Sequence, residues 1–433
     1  MSKEGIVKGF SRLSRDEKIK WLQEYLSDDT LESFLHSFRI SDTYVQNNFE
    51  KFAENTLSNY HLPYSIVPNV MIDGNIYHVP VAIEESSVVA AASKAASFWA
   101  ERGGFITTKI CTIKKGQVHF FFHDNPQLLL KCWDKVVADL LKDIAPFTQS
   151  MQKRGGGVLA LHLKDAAEID YDYFQLEMKA ETVDSMGANF INTILEKIAQ
   201  SLPVFIKKYT GSDNVEVLMA ILSNYTPECI VSIRLETLVK SLNWDKNLSP
   251  LVFANRMKQA ADIACHDVGR AVTHNKGIYN GVDAVVLATG NDFRAVEASG
   301  HAYAARSGKY RSLSKVILKD DIFKMEMSLP LALGTVGGLT NLHPLAKKSL
   351  QILQNPDSKT LMKVAASVGL ANNFAAMASL VTTGIQKGHM KMHLHNILAL
   401  LQVNEERFFE IQSFFADKTV SVSAVKEYME KNP

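Results

Sequence analysis

Residues 106–141 read ITTKICTIKKGQVHFFFHDNPQLLLKCWDKVVADLL, and this stretch decides the fold class. Its first half alternates apolar and polar residues on either side of Lys115-Gly116, which predicts a pair of strands. Its second half predicts an amphipathic helix, because apolar residues recur at helical spacing. That apolar face consists of Leu129, Trp133, Val136, Val137, Leu140 and Leu141.

The pattern continues toward the C-terminus with two strands, at about residues 157–163 and 171–180. A helix at about 185–206 and a strand at about 215–222 follow. The order strand, helix, strand, strand, helix, strand is typical of a ferredoxin-like α+β module. We therefore predict such a module at residues 109–222.

Helical patterns lie on both sides of this module. Before it, Ser14 to Glu17 has the spacing of a capping box, Asp73-Gly74 predicts a hairpin, and residues 84–102 predict a helix. The prediction is an α+β protein in which a large, mainly helical domain, residues 1–108 and 223–383, carries the inserted module. Residues 404–433 predict two short helices, and we expect residues 384–433 to be a small helical C-terminal lid.

Composition excludes several classes of protein. A chain of 433 residues favours two or three domains, and 47 basic against 46 acidic residues give no field that favours nucleic acid or an anionic membrane. The four cysteines lack the spacing of a zinc knuckle or a disulfide framework. We expect a cytoplasmic protein, in which the uncharged stretch 365–386 is a buried helix and not a membrane span.

The segment Asp184-Ser185-Met186-Gly187-Ala188-Asn189 lies where a strand ends and a helix begins. Small residues at a helix N-terminus let a phosphate approach the backbone N–H groups. The alternative is an ordinary capped helix with a closely packed glycine. No G-x-G-x-x-G sequence follows a strand, so a dinucleotide at this place would be bound without the Rossmann motif.

A second group of polar residues surrounds Lys276, in Thr273-His274-Asn275-Lys276-Gly277-Ile278-Tyr279-Asn280-Gly281. A lysine there can stabilise a developing oxyanion, and the alternative is a solvated lysine in a turn. Asp292 follows the apolar run 285–288 and can pair with Lys276.

Glutamates and histidines add two further candidates. Glu84 and Glu85 precede a helical stretch, and a partly buried carboxyl group there can act as a general acid. His389 is followed by His393 and His395, but no cysteine or H-E-x-x-H pattern accompanies them, so we predict no metal site. The alternative for His389 is a surface histidine on a basic helix.

The order of these segments resembles that of the class II 3-hydroxy-3-methylglutaryl-coenzyme A (HMG-CoA) reductases. The resemblance extends from Glu54-Asn55 through Glu84 to Ser93 and the Asp184, Lys276 and Asp292 segments to Gly337-Gly338 and Gly388-His389-Met390. The family's E-N-x-I-G is Glu54-Asn55-Thr56-Leu57-Ser58 here, so the backbone of that segment differs from the family pattern.

The resemblance implies roles for particular residues. The catalytic groups fall on Glu85, Lys276, Asp292 and His389, and the substrate contacts on Ser87, Asn224, Arg270 and Asn280. The dinucleotide contacts fall on Asp184, Ser185, Met186, Gly187, Ala188 and Asn189.

The implied reaction reduces HMG-CoA to mevalonate and coenzyme A with NADPH or NADH. The resemblance also implies a homo-oligomer with active sites at a dimer interface. Ala160 stands where NADH-preferring relatives carry an acidic residue, and Lys153 and Arg154 lie nearby, which favours NADPH. Two alternatives stay open: the same enzyme working in mevalonate oxidation, and a non-catalytic homologue that binds coenzyme A or a nucleotide.

Overall fold

The structure, a computed structural model, describes residues 6–166, 168–382, 384, 394, 397–415, 418 and 420–432, with the backbone alone at 86, 341, 405 and 406. Its helices are α1 (Arg15–Leu26), α2 (Leu31–Ser37), α3 (Thr43–Phe49), α4 (Ser86–Ala100), α5 (Pro126–Gln152), α6 (Ala188–Thr210), α7 (Pro250–His266), α8 (Val268–Ala288), α9 (Phe293–Ala304), α10 (Leu339–Leu342), α11 (Pro344–Ile352), α12 (Ser358–Val381), α13 (Glu405–Phe414) and α14 (Val422–Lys431). Its strands are β1 (Tyr64–Ile72), β2 (Asn75–Ala82), β3 (Ile106–Ile110), β4 (Ile113–Phe122), β5 (Gly157–Asp165), β6 (Tyr173–Glu181), β7 (Val215–Leu222), β8 (Ile230–Leu238), β9 (Ser314–Lys319) and β10 (Ile322–Pro330).

One four-stranded sheet has the ferredoxin-like arrangement. Its strand order is β5-β6-β4-β7, and every neighbouring pair is antiparallel. The apolar stripes of α5 and α6 pack on one face of this sheet and bury residues such as Phe120, Leu140 and Ile194 completely. The α+β class and the ferredoxin-like module are therefore confirmed.

The predicted strand pair around Lys115-Gly116 is wrong. Strand β4 continues straight through both residues, and β3 pairs with β8 in another sheet. A Cβ atom at Gly116 would lie 2.4 Å from the Leu195 side chain, so the absence of a side chain serves the close packing of α6 on the strand. A glycine in this alternating stretch predicted a turn. In the structure, the glycine is required because helix α6 packs closely on the strand.

The larger part of the chain is mainly helical, as predicted, and it also contains a sheet that was not predicted. It contains a second antiparallel sheet, of order β3-β8-β10-β9, and the β1-β2 hairpin that Asp73-Gly74 predicted. Helices α4, α8 and α12 pack with these strands into the largest apolar core. The three strands β8, β9 and β10 carry the alternation of a half-buried sheet.

Helix α12 contains residues 365–381 of the uncharged stretch that was predicted to be buried. Within the described part of the chain it is the one helix that is long and apolar enough to cross a membrane, and 78% of its most apolar window is buried. A helix surrounded by protein on all sides needs no polar face, which accounts for its composition. Its burial inside the large core agrees with the prediction.

A third apolar cluster forms near the C-terminus around Leu398, Ile411, Phe415 and Val425. The described residues thus form three separate apolar cores, in the larger part, in the ferredoxin-like module and near the C-terminus. The domain boundaries at 108/109, 222/223 and 383/384 remain a prediction.

Helices α8 and α12 cross at two glycines. A Cβ atom at Gly281 would lie 2.5 Å from the Val368 carbonyl oxygen, and one at Gly369 would lie 2.6 Å from the Val282 side chain. These glycines allow the two backbones to come into contact, and α8 and α12 share one of the largest interfaces in the chain.

Gly281→Ala is expected to lower the free energy of unfolding by about 1–3 kcal/mol, because the methyl group would meet backbone that cannot move independently. Gly277→Ala is the matched control on the same helix, since a Cβ atom there has no neighbour within 4 Å. We expect the control to gain up to about 1 kcal/mol from helix propensity. Denaturant unfolding measures both, and equal effects of the two substitutions would contradict the proposed helix contact.

Candidate active site

Glu85 and Lys276 meet at the mouth of a cavity of about 410 Å³. Glu85 is the residue that precedes α4, and the Lys276 ammonium donates to its Oε2 at 3.1 Å. Ser87 donates to the other carboxylate oxygen at 2.9 Å. Both charged side chains are partly exposed, at 64% for Lys276 and 37% for Glu85, so a ligand can reach them.

Lys276 lies in the middle of α8, so the alternative of a lysine in a turn is wrong. Helical spacing brings Arg270, Lys276 and Asn280 to the same cavity. Burial lowers the pKa of the Arg270 guanidinium from its usual high value. The structure thus brings together five of the predicted residues: Glu85, Ser87, Arg270, Lys276 and Asn280.

The neighbours of Lys276 on α8 have structural roles. His274 is 2% exposed, and its Nε2 donates to Ser314 Oγ at 2.6 Å, because that hydroxyl group gives its own proton to Asn373. Burial lowers the pKa of His274 to about 3, so the ring is neutral. Asn275 is fully buried and bonds the backbone of Arg311 and Leu313. These residues hold α8 in place.

A second cleft, of about 610 Å³, lies at the N-terminus of α6. Gly187 has φ 92° and precedes the first helical residue, so the free backbone N–H groups of α6 open toward this cleft. The lining includes Ser185, Met186, Gly187, Ala188 and Asn189 together with Gly334, Gly337 and Gly338. This geometry suits the diphosphate of a dinucleotide.

Asn291 is a residue of this cleft that the sequence analysis missed. Its side-chain oxygen accepts from Gly334 N at 2.8 Å, and its amide nitrogen donates to the Gly334 carbonyl at 3.1 Å. The amide thereby holds the glycine segment 334–338 against the Asp292 segment. Its place directly before Asp292 was the one available signal in the sequence.

Asp184 is used differently from its five neighbours in the motif. Its carboxylate accepts from Ser358 N at 2.8 Å, at the first residue of α12, and its carbonyl accepts from Thr335 N. These bonds connect the ferredoxin-like module to the larger part of the chain. A direct contact of Asp184 with a cofactor remains a prediction.

Asp292 does not pair with Lys276 in the chain, which corrects that prediction. Its carboxylate accepts from two backbone N–H groups at the start of α9 and binds the Arg294 guanidinium at 3.1 Å. Burial works against the charged form, but Arg294 and the backbone donors outweigh it and lower the pKa of Asp292. Asp292 lines the second cleft, whereas Lys276 lines the first.

Three further predicted residues lie elsewhere. Asn224 is exposed between β7 and β8 and does not line the Lys276 cavity. Ala160 lies opposite Lys179 in the sheet and does not line the second cleft, whereas Arg154 does. His389 lies outside the described residues, as do His393 and His395. In the described part of the chain no cluster of histidine, cysteine, aspartate or glutamate could hold a metal ion.

A ferredoxin-like domain whose helix N-terminus opens onto a cleft is joined to a domain that carries a lysine–glutamate pair, and this arrangement suits an oxidoreductase that uses a nicotinamide dinucleotide. The family model described as hydroxymethylglutaryl-coenzyme A reductase matches residues 14–394. The chain belongs to this family.

Individual relatives agree with the family model. The 3-hydroxy-3-methylglutaryl-coenzyme A reductase of Archaeoglobus fulgidus is 34% identical, over 98% of this chain and 94% of its own length. A probable reductase of Borreliella burgdorferi is 33% identical, over 95% of this chain and 92% of its own. A solved structure of the Streptococcus pneumoniae reductase covers 98% of this chain and 99% of its own, with a TM-score of 0.73 and 34% identity.

A class II reductase from Streptococcus pneumoniae has also been solved bound to NADPH in open conformations. It is 35% identical, covers 87% of this chain and 99% of its own, and has a TM-score of 0.72. The recognition of the class II family from sequence motifs is therefore confirmed.

Proposed function

We propose that the protein reduces HMG-CoA to mevalonate and free coenzyme A. The observation that carries this proposal is the Lys276–Glu85 pair at the mouth of a cavity that Ser87, Arg270 and Asn280 also line. A cation that touches a carboxylate at the edge of a mostly apolar cavity is suited to a carbonyl oxygen that gains negative charge. The family name and the relatives' names support the substrate.

Two molecules of the reduced cofactor, bound one after the other with the diphosphate against Ser185 to Asn189, would each supply one hydride. Lys276 stabilises the negative charge that develops on the thioester oxygen and later on the aldehyde oxygen. Glu85, which receives a hydrogen bond from Ser87, supplies the proton to the alcohol oxygen. Arg270 offers a planar cation for the carboxylate of the substrate, and Asn280 a hydrogen bond.

His389 is proposed to protonate the thiolate of coenzyme A when the hemithioacetal collapses, which prevents the thiolate from adding back. His389→Gln should therefore slow reduction of the thioester and leave reduction of added mevaldehyde nearly unchanged. Residues 384–433 are proposed as the lid that opens when the oxidised cofactor is exchanged.

The separation of Asp292 from Lys276 supports a homodimeric site. Asp292 belongs to the cofactor cleft and Lys276 to the substrate cavity of the same chain. In a two-fold symmetric dimer, the cleft of one chain can face the cavity of the other. We propose that Asp292 completes the substrate site of the second chain and there approaches Lys276.

NADPH is proposed as the preferred cofactor on the basis of Arg154. The guanidinium group lines the cofactor cleft, where it can bind a 2′-phosphate, whereas Ala160 lies outside the lining. The absence of an acidic side chain at 160 thus carries less of the argument than the sequence alone suggested. The relative bound to NADPH supports this assignment.

Arg154→Gln is expected to lower kcat/KM for NADPH by about tenfold and to leave that for NADH within twofold, because NADH has no 2′-phosphate. Lys153→Gln is the matched control, since Lys153 adjoins Arg154 but does not line the cleft. Steady-state rates with both cofactors measure the ratio. An equal loss for NADPH and NADH would contradict a contact with the 2′-phosphate, and a tenfold NADH preference of the unchanged protein would end the NADPH proposal.

The experiment that tests the function is oxidation of NADPH or NADH by the purified protein with HMG-CoA, followed by nicotinamide absorbance. Turnover, with mevalonate as the identified product, establishes the reaction. Folded protein that binds coenzyme A but turns over neither cofactor would favour the non-catalytic homologue. The rate of the reverse reaction is measured with mevalonate, coenzyme A and the oxidised cofactor. The ratio of the two rates compares HMG-CoA reduction with mevalonate oxidation.

A further inference from the structure

A buried lysine lies beneath the segment 182–187, here termed the nucleotide loop. Lys114, on β4, is 1% exposed, and its ammonium group donates to Thr182 Oγ1 at 2.8 Å and to the Thr112 carbonyl at 3.3 Å. Among the described residues, no carboxylate forms an ion pair with it. Burying a lysine head group without an ion pair is unfavourable, so packing alone does not account for this residue.

Thr182 connects Lys114 to the nucleotide loop. Its hydroxyl group accepts from Lys114 and donates its own proton to the Ser185 carbonyl at 2.8 Å. Ser185 in turn donates to the Thr182 carbonyl from its backbone N–H and its hydroxyl group, both at 3.0 Å. Two hydrogen bonds therefore connect the ammonium group to the backbone of the cofactor cleft. Both involve the buried hydroxyl oxygen of Thr182.

Within the nucleotide loop, the backbone at Gly187 packs closely on the Thr182 side chain. A Cβ atom at Gly187 would lie 2.5 Å from Thr182 Cγ2, so the backbone passes directly over that side chain. Val183 has φ 52°, a left-handed conformation that is strained for a β-branched residue. Its N–H group donates to Glu181 at 2.8 Å, and Ser358 donates to its carbonyl at 2.8 Å. Such a conformation persists only when its surroundings hold it.

We propose that Lys114 is a positioning residue for the dinucleotide. Through Thr182 it holds Ser185 to Gly187 in the shape that presents the first N–H groups of α6 to the diphosphate. The inference rests on the proposed binding of a dinucleotide in this cleft and concerns affinity, not the chemical step.

The test is the double variant Lys114→Met/Thr182→Val. Both replacements are close in shape, and together they leave neither a buried ammonium group nor its hydroxyl acceptor, so thermal stability should stay near that of the unchanged protein. The dissociation constant of NADPH, measured by its fluorescence without HMG-CoA, is expected to rise about 10- to 100-fold. At saturating NADPH, kcat and the KM for HMG-CoA should stay within about threefold.

Thr182→Ser and Thr182→Val separate this role from a merely structural one. Serine keeps the hydroxyl oxygen and should bind NADPH within about threefold of the unchanged protein, whereas valine should lose affinity. If the double variant fails to fold, the comparison of Thr182→Ser with Thr182→Val tests the proposal instead. Equal NADPH affinity of these two single variants overturns it. A folded double variant that binds NADPH normally also overturns it. Absent thioester reduction would count against the proposed function alone, since binding is measured without substrate.

Discussion

Lys276→Met is expected to lower kcat for HMG-CoA reduction by about two to three orders of magnitude. A positioned cation that stabilises a developing oxyanion contributes about 3–4 kcal/mol to the transition state, and methionine retains the length of the side chain without the charge. The free energy of unfolding should change little, because Lys276 is 64% exposed and Glu85, left without its cation, is accessible to water.

Lys258→Met is the control for the loss of a lysine from a helix. Lys258 lies on α7, pairs with Asp262 one turn away on the same helix, and lines none of the cavities described above. Its kcat should stay within twofold. A Lys276→Met protein with kcat within tenfold of the unchanged chain would show that the oxyanion is stabilised by another group.

Activity is expected to return when a Lys276→Met chain pairs with an Asp292→Asn chain. Each homodimer should be nearly inactive, but a mixed dimer would contain one site with both native residues if Asp292 serves the other chain. Differently tagged chains, co-expressed and purified through both tags, should show about half of the unchanged activity per dimer. Asparagine is a good N-cap, so Asp292→Asn removes the charge and preserves the start of α9.

A mixed dimer of Glu85→Gln and Lys276→Met chains provides the matched control. These two residues touch within one chain, so both sites of that dimer are damaged and no activity should return. Recovery in both mixed dimers would show that Glu85 also serves the Lys276 of the second chain and would contradict the pairing of these two residues within one chain. No recovery in either mixed dimer would show that Asp292 acts within its own chain. The cofactor cleft and the substrate cavity of that chain would then have to move closer together.

Periodicity and turn chemistry predicted the parts of the fold that depend on near neighbours in sequence. The helices α5 and α6 follow from their apolar stripes, and the β1-β2 hairpin follows from Asp73-Gly74. The strand order of the ferredoxin-like sheet followed from the order of its elements. The sheet β3-β8-β10-β9 did not, because β3 pairs with a strand more than one hundred residues away.

The alternating stretch before α5 shows the limit of local reasoning. Residues 106–110 and 113–122 have the same alternation, yet they belong to different sheets. The two strands are separated only by Cys111-Thr112, and the choice of sheet depends on which distant strand is available for pairing. No window of the sequence contains that information.

By itself, the sequence determined the class of fold, the family and the residue types needed for the chemistry, because motifs and periodicity are properties of near neighbours. Only the tertiary structure brought Glu85 to Lys276 across 191 residues and directed Asp292 to Arg294. It also placed Lys114 beneath Thr182, 68 residues away. Such contacts depend on how helices and sheets pack, and packing is decided by side-chain volume and burial across the whole chain.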